Sequence, residues 1–261
     1  MLTSADIAQR FHAARSIALE CGERALSFFN DRSSLGVSMK GYQDWLTIAD
    51  GAVETLFRER IAQAFPGDAV MGEEQGGAAS DRLWIIDPID GTANFVRGDR
   101  MWCVSIGFLT AGIPEIGVIQ APALDETFLG RRGHGATMNG VPIAAAATTD
   151  MRRASIEFGW SPRRSSEDYV AAVSRLFAAG ASVKRSASGA LGLAHVAIGR
   201  TDAYAELHIN AWDVAGGVVI ASEAGAWVND FFSGDWARNG NPILAAAPGV
   251  ADAVRSATGI V

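Results

Sequence analysis

Cysteine is scarce in this 261-residue chain: Cys21 and Cys103 lie far apart and in no Cys-x-x-Cys spacing, which suggests neither a disulfide framework nor a cysteine zinc site. Both read as small buried apolar residues. Long apolar runs are missing as well; no stretch reaches the roughly 18 residues of a spanning helix. The opening MLTSADIAQR carries Asp6 and lacks the apolar core of a signal peptide, so a cytoplasmic protein without a membrane segment is expected. Positive charge is in deficit. Lysine and arginine total 22 against 29 aspartates and glutamates, a net charge of −7, which argues against a polyanion held through its phosphates and against direct nucleic-acid contact. Repeats and low-complexity tracts are absent. What is present is core material: 49% hydrophobic residues, 20% charged and only 8 prolines make a chain that folds rather than stays disordered. At about 150 residues per domain, the length suits one large domain or two subdomains sharing a core.

Ile7, Phe11, Ala14, Ala18, Cys21, Ala25 and Phe28 recur at steps of three and four and predict a long amphipathic helix ending near Asn30. The polar segment from Asp31 to Trp45 has no period and reads as a loop. A second helix follows with Val53, Leu56, Phe57, Ile61 and Phe65. Short apolar runs at 69–72, 83–86, 103–109, 115–120 and 127–130, bounded by turn residues such as Asn139-Gly140, predict strands. Beyond the alanine and threonine stretch at 144–149, strands alternate with helices: ASIEF, 166–179, SVK, 188–199, DAYAE at 202–206, a helix over 213–224, AWVND, ILAAA and a terminal helix. Residues 1–147 therefore form an α+β subdomain and residues 148–261 an α/β subdomain in this reading.

Acidic residues stand at strand ends and helix starts in three places: Glu73-Glu74, Asp87 and Asp90 in DPIDGT, and Asp213 in WDVAGG. Each has an ordinary alternative, as a solvated loop pair, a turn dipeptide or a helix cap. Taken together they differ. Pro88 holds Asp87 extended, and the short span can aim both aspartates and the Ile89 carbonyl at one point. Four carboxylates within about 5 Å would repel by roughly 3 kcal/mol per pair at an effective dielectric of about 20, on the order of 20 kcal/mol over six pairs, so cations must neutralise them. Oxygen donors without histidine or thiolate favour a hard ion, and magnesium leads. Gly91-Thr92 then starts a helical turn whose free N–H groups suit a phosphate.

GEE at 72–74, WIIDPIDGTANF at 84–95 and WDVAGG at 212–217, in this order and at these separations, resemble the inositol monophosphatase family, and the likeness runs from the Lys40 loop to SEAGAWVND. The resemblance implies a five-layer αβαβα fold of the lithium-sensitive, Mg²⁺-dependent phosphatases. It implies a first metal at Glu73, Asp87 and the Ile89 carbonyl, a second at Asp87, Asp90 and Asp213, and a third, weaker ion near Glu73. It also gives Thr92 and Asp50 as the pair that orients the attacking water and handles its proton. The residues alone make Thr47-x-x-Asp50 a capping box, and both readings can hold.

Seven residues before Asp213, Glu206 matches a polyol-binding glutamate of the family, while Arg185, Ser188 and Ala190 match its substrate wall. Here the chain departs from the family's RSxGSA by reading Arg185-Ser186-Ala187-Ser188-Gly189-Ala190, glycine and serine exchanged. The implied activity is hydrolysis of myo-inositol 1-phosphate or a similar small polyol phosphate by metal-activated water. The alternatives are histidinol-phosphate hydrolysis and, in another class, binding to the bacterial transcription machinery. A homodimer is implied too, with Trp102 and Trp160 as candidate interface residues.

Overall fold

The computed structural model describes residues 2–41 and 44–261. Helix α1 (Ser4–Asn30) opens on a capping box in which the Asp6 N–H donates to Thr3 Oγ1 at 3.2 Å and the Thr3 N–H to Asp6 Oδ2 at 2.8 Å. It buries the expected face, Ile7, Ala14, Ala18, Cys21 and Ala25. The stretch read as a plain loop contains a short antiparallel pair, β1 (Ser38–Gly41) and β2 (Asp44–Leu46). All of β1 is solvent-exposed, so no alternation marks it in the sequence. The remainder of that stretch, residues 42 and 43, lies outside the described residues.

Helix α2 (Ile48–Ala64) leads into β3 (Ala69–Gly72), β4 (Arg82–Asp90), the short α3 (Thr92–Arg97), β5 (Cys103–Thr110), β6 (Ile113–Ala121), β7 (Glu126–Arg131), β8 (Ala136–Met138) and β9 (Val141–Pro142). These strands form one seven-stranded sheet in sequence order, β3 parallel to β4 and the rest antiparallel. Two-residue turns at Ala111-Gly112 and Asn139-Gly140 close hairpins with positive φ at both positions, as the twist of paired strands requires.

After residues 143–150 come β10 (Ser155–Phe158), α4 (Ser166–Ala178), β11 (Ser182–Lys184), α5 (Gly189–Ala197), β12 (Ala203–Ile209), α6 (Ala211–Glu223), β13 (Trp227–Val228), α7 (Trp236–Asn239), β14 (Asn241–Ala246) and α8 (Ala251–Thr258). Their five strands pair in the order β11-β10-β12-β14-β13. Helices α1 and α2 cover one face of the larger sheet, α5 and α6 fill the space between the two sheets, and α4 and α8 cover the outer face of the smaller. The result is the αβαβα sandwich. Helix α6 lies unusually close to the large sheet, because a Cβ at Gly117 would fall 2.1 Å from the Gly216 carbonyl oxygen. That approach carries the first turn of α6, with Asp213, towards the end of β4.

Trp102 does not reach a surface. It is fully buried against Phe29 and Phe95, where it packs the core rather than an interface. Trp160 lines the cavity described below. Among the described residues no helix is long and apolar enough to cross a membrane.

Candidate metal centre

The DPID segment sits on a β-bulge. Asp87 pairs with Ser105 and Asp90 with Cys103, three steps on β4 against two on β5. In a regular strand residues three apart point to opposite faces; the one extra residue returns Asp90 to the side of Asp87. Pro88, which has no N–H to offer the ladder, fits the irregularity. The Ile89 N–H donates to Asp87 Oδ1 at 2.9 Å and fixes that carboxylate.

Asp87, Asp90 and Asp213 converge: each offers an oxygen within 4.8 Å of the others. Asp90 is held by the Ser188 hydroxyl at 2.5 Å and the Gly189 and Ala190 N–H groups at 3.2 and 2.7 Å, while the Asn210 N–H donates to Asp213 Oδ2 at 3.0 Å. Glu73 belongs to the same cavity but not to this tight group; its Oε1 accepts from Lys40 Nζ at 3.0 Å, and the same ammonium reaches Glu74 at 2.8 Å. The four-carboxylate convergence expected from the sequence is thus three carboxylates with Glu73 beside them, paired with a lysine that it shares with Glu74.

Burial dominates the electrostatics. It pushes Asp87 and Asp213 well above the ordinary carboxyl range, helped by the neighbouring carboxylates. Asp90 goes only to about 6, because burial is opposed by the Ser188 hydroxyl and two backbone N–H groups. Glu73 rises to about 7, through burial working against Lys40. A buried cluster of like charges with oxygen donors alone fits a hard divalent cation, which supplies the missing positive charge.

Asp50 divides its oxygens. Its Oδ2 accepts the Thr47 N–H at 2.8 Å and hydroxyl at 2.7 Å, the cap expected from the sequence, while Oδ1 lies 3.5 Å from the Thr92 hydroxyl, which also donates to the Ile89 carbonyl at 2.9 Å. Burial raises Asp50 to about 6 against the Thr47 bonds. Gly91 is the N-cap of α3 and Thr92 its first residue, so the Thr92 N–H has no acceptor within the helix.

A cavity of about 590 Å³ opens beside these groups. Glu206 lies in it, buried and raised by burial to about 7, and accepts the Tyr204 hydroxyl at 2.7 Å. Exposed Arg185 is on its rim. Ala190 is not on the wall; its side chain packs in the core beside Cys103 and Leu191, and it meets the site through its N–H alone. Ser188, with φ −139°, needs no glycine, and Gly189 leaves the space in which a Cβ would fall 3.1 Å from the Tyr204 hydroxyl. At the exchanged positions Ser188 thus takes an extended backbone and gives Asp90 a hydroxyl bond.

Sequence reasoning did not single out Glu157. It lines the cavity and receives the Ser186 N–H at 3.1 Å and the Ser186 hydroxyl; burial works to raise it, but Ser186, Lys184 and His195 hold it below the usual range. An acidic residue within the apolar strand ASIEF was the available signal.

Comparison with known proteins gives a consistent result. The model of the inositol monophosphatase family matches residues 6–258. Nus factor SuhB of Xylella fastidiosa is 37% identical over 226 residues, 85% of this chain and 81% of that protein. The extragenic suppressor protein SuhB of Bartonella henselae superimposes with a TM-score of 0.88 at 28% identity, covering 95% of this chain and 98% of that one. Inositol monophosphatase from Anabaena superimposes with a TM-score of 0.82 at 33% identity, covering 96% and 95%.

Proposed function

Since the chain belongs to the inositol monophosphatase family, we propose that it is a Mg²⁺-dependent phosphomonoesterase acting on myo-inositol 1-phosphate or a similar small polyol phosphate. The observation that carries this reading is the bulged Asp87–Asp90 pair meeting Asp213 at the mouth of a cavity that also holds Glu206. Asp87, Asp90, Asp213, the Ile89 carbonyl and Glu73 would hold the magnesium ions, two or three in number. Bound there, magnesium neutralises phosphoryl charge and acidifies water. The protein's own groups do the rest. The N–H groups of Gly91 and Thr92 receive phosphoryl oxygens at the start of α3. The Thr92 hydroxyl, anchored on the Ile89 carbonyl, orients the attacking water, and Asp50 takes its proton through the oxygen left free by the Thr47 cap. Glu206, fixed by Tyr204, accepts a substrate hydroxyl, with Arg185 at the rim. Ser188 and Ala190 contribute one layer back, through Asp90. In this reading residues 1–147 and 148–261 are two subdomains, the second supplying Asp213 and the polyol contacts.

The test is phosphate release from inositol 1-phosphate, glycerol 2-phosphate, histidinol phosphate, fructose 1,6-bisphosphate and adenosine 3′,5′-bisphosphate. Turnover of a polyol monophosphate should vanish in EDTA, return with Mg²⁺ and fall by about 10³-fold or more in Asp213→Asn, the order expected when transition-state charge loses its stabilisation. Unchanged turnover in folded Asp213→Asn removes the assignment. Preference for histidinol phosphate redirects it.

A second reading rests on the likeness to the Xylella fastidiosa relative, a Nus factor. It makes this chain a partner of the transcription machinery, whether as monomer or homodimer. Copurification of the catalytically dead variant with RNA polymerase supports it; failure to copurify counts against it.

A further inference from the structure

The proposed reaction leaves one buried carboxylate of α2 without a task. Glu54 has no exposed surface, yet both of its oxygens face the turn that presents Glu73. Its Oε2 accepts the Glu74 N–H at 2.8 Å; its Oε1 accepts the Gln75 N–H at 3.1 Å and the Arg58 Nε–H at 2.8 Å. Arg58 then returns to the same turn, donating to the Val70 carbonyl at 3.3 Å and to the Gly76 carbonyl at 2.5 Å. Both ends of the turn are thereby tied to one helix.

The turn is otherwise lightly built. Gly72 and Gly76 exchange backbone bonds at 3.0 and 3.1 Å, and the Glu73 N–H reaches the Ile86 carbonyl at 3.3 Å. Residue 72 also reveals how close the carboxylate stands, since a Cβ there would fall 2.4 Å from the Glu54 carboxyl carbon. A buried ion pair is weak evidence for stability, because desolvation offsets most of its attraction. Directional bonds to two successive N–H groups do something that stability does not require: they fix the backbone beside Glu73, whose side chain accepts from Lys40 and lines the cavity.

We propose that Glu54 is the positioning residue of Glu73, holding the Glu73–Gln75 turn from behind so that the carboxylate is in place before a divalent cation arrives. This rests on the reading of the carboxylate cluster as a metal centre. Supporting groups behind metal ligands commonly change affinity by 10–100-fold when removed. Glu54→Gln keeps the size of the side chain, but its amide nitrogen must face either the Glu74 N–H or the Gln75 N–H together with Arg58, so one or two donors lose their acceptor. Gly72→Ala presses on the same carboxylate without changing any charge.

Full-length proteins are titrated with Mg²⁺ by calorimetry, and the Mg²⁺ dependence of phosphate release is measured beside it. The expected result is a dissociation constant for Mg²⁺ raised about tenfold or more in Glu54→Gln and in Gly72→Ala, with kcat at saturating Mg²⁺ within about threefold of wild type. A merely structural contribution lowers the thermal midpoint and leaves the Mg²⁺ affinity alone; that outcome in either folded variant overturns the proposal. Should Glu54→Gln not fold, Gly72→Ala decides. Wild-type protein that binds Mg²⁺ but releases phosphate from no ester defeats the phosphatase reading, and the titration then judges Glu54 by itself; wild-type protein that binds no Mg²⁺ defeats both.

Discussion

Asp50 carries a structural bond on one oxygen and faces the proposed water-orienting hydroxyl with the other, so its two contributions can be separated by mutating its neighbours. Thr47→Ala removes the cap and should lower stability by about 1 kcal/mol in urea unfolding while leaving kcat nearly unchanged. Asp50→Asn keeps an oxygen for the Thr47 N–H but loses the base, and kcat should fall by about 10²–10⁴-fold in a phosphate-release assay. Equal loss of kcat in the two variants would assign the whole effect to the cap. The cap was legible as Thr47-x-x-Asp50, and the carboxylates as motifs, because local spacing decides both. The hydroxyl of Ser188 on Asp90 was not, since it joins residues 98 positions apart and follows from how α5 docks. Trp102 shows the reverse error: an aromatic side chain promises a sticky surface until the fold supplies Phe29 and Phe95 to cover it.

At the scale of elements, the strands and helices with a buried face were readable because burial imposes a period, whereas the exposed β1 carries none. The bulge in β4 lay between these cases. The sequence shows Pro88 holding Asp87 extended just past the predicted strand 83–86, but the side to which Asp90 turns depends on its register with β5. The docking of α6 is the other decisive element, for it brings Asp213 across from the far end of the sequence. Gly216 makes that possible: a Cβ would meet the Ile106 carbonyl oxygen at 2.7 Å and that of Val118 at 3.0 Å. Gly216→Ala should force α6 off the sheet, costing about 1–3 kcal/mol in urea unfolding as overpacking does, and weaken Mg²⁺ binding by moving Asp213. A variant of wild-type stability and Mg²⁺ affinity would show that α6 tolerates the displacement.

Across the whole molecule, the buried carboxylates link stability, pH and metal. Burial raises Glu73 and Glu206 from the ordinary 4.5 to about 7, and Asp50 and Asp90 from 3.8 to about 6. Between those values the folded chain still holds protons that the unfolded chain has released, so unfolding sheds protons and the metal-free protein loses stability as pH rises from about 4 to about 7. Below that window both states are protonated and these groups cost nothing. Divalent cations need the deprotonated cage, so they restore the most stability where the metal-free chain has lost the most. At a Mg²⁺ concentration about 100 times its dissociation constant the gain is about 2.7 kcal/mol, roughly 5–10 °C in thermal midpoint for a chain of this size. Thermal unfolding at pH 7.5 and pH 5, with Mg²⁺ or EDTA at constant ionic strength, should therefore show a clear Mg²⁺ shift at the higher pH and a much smaller one at the lower. A shift independent of pH would mean that the cation binds outside the buried carboxylates.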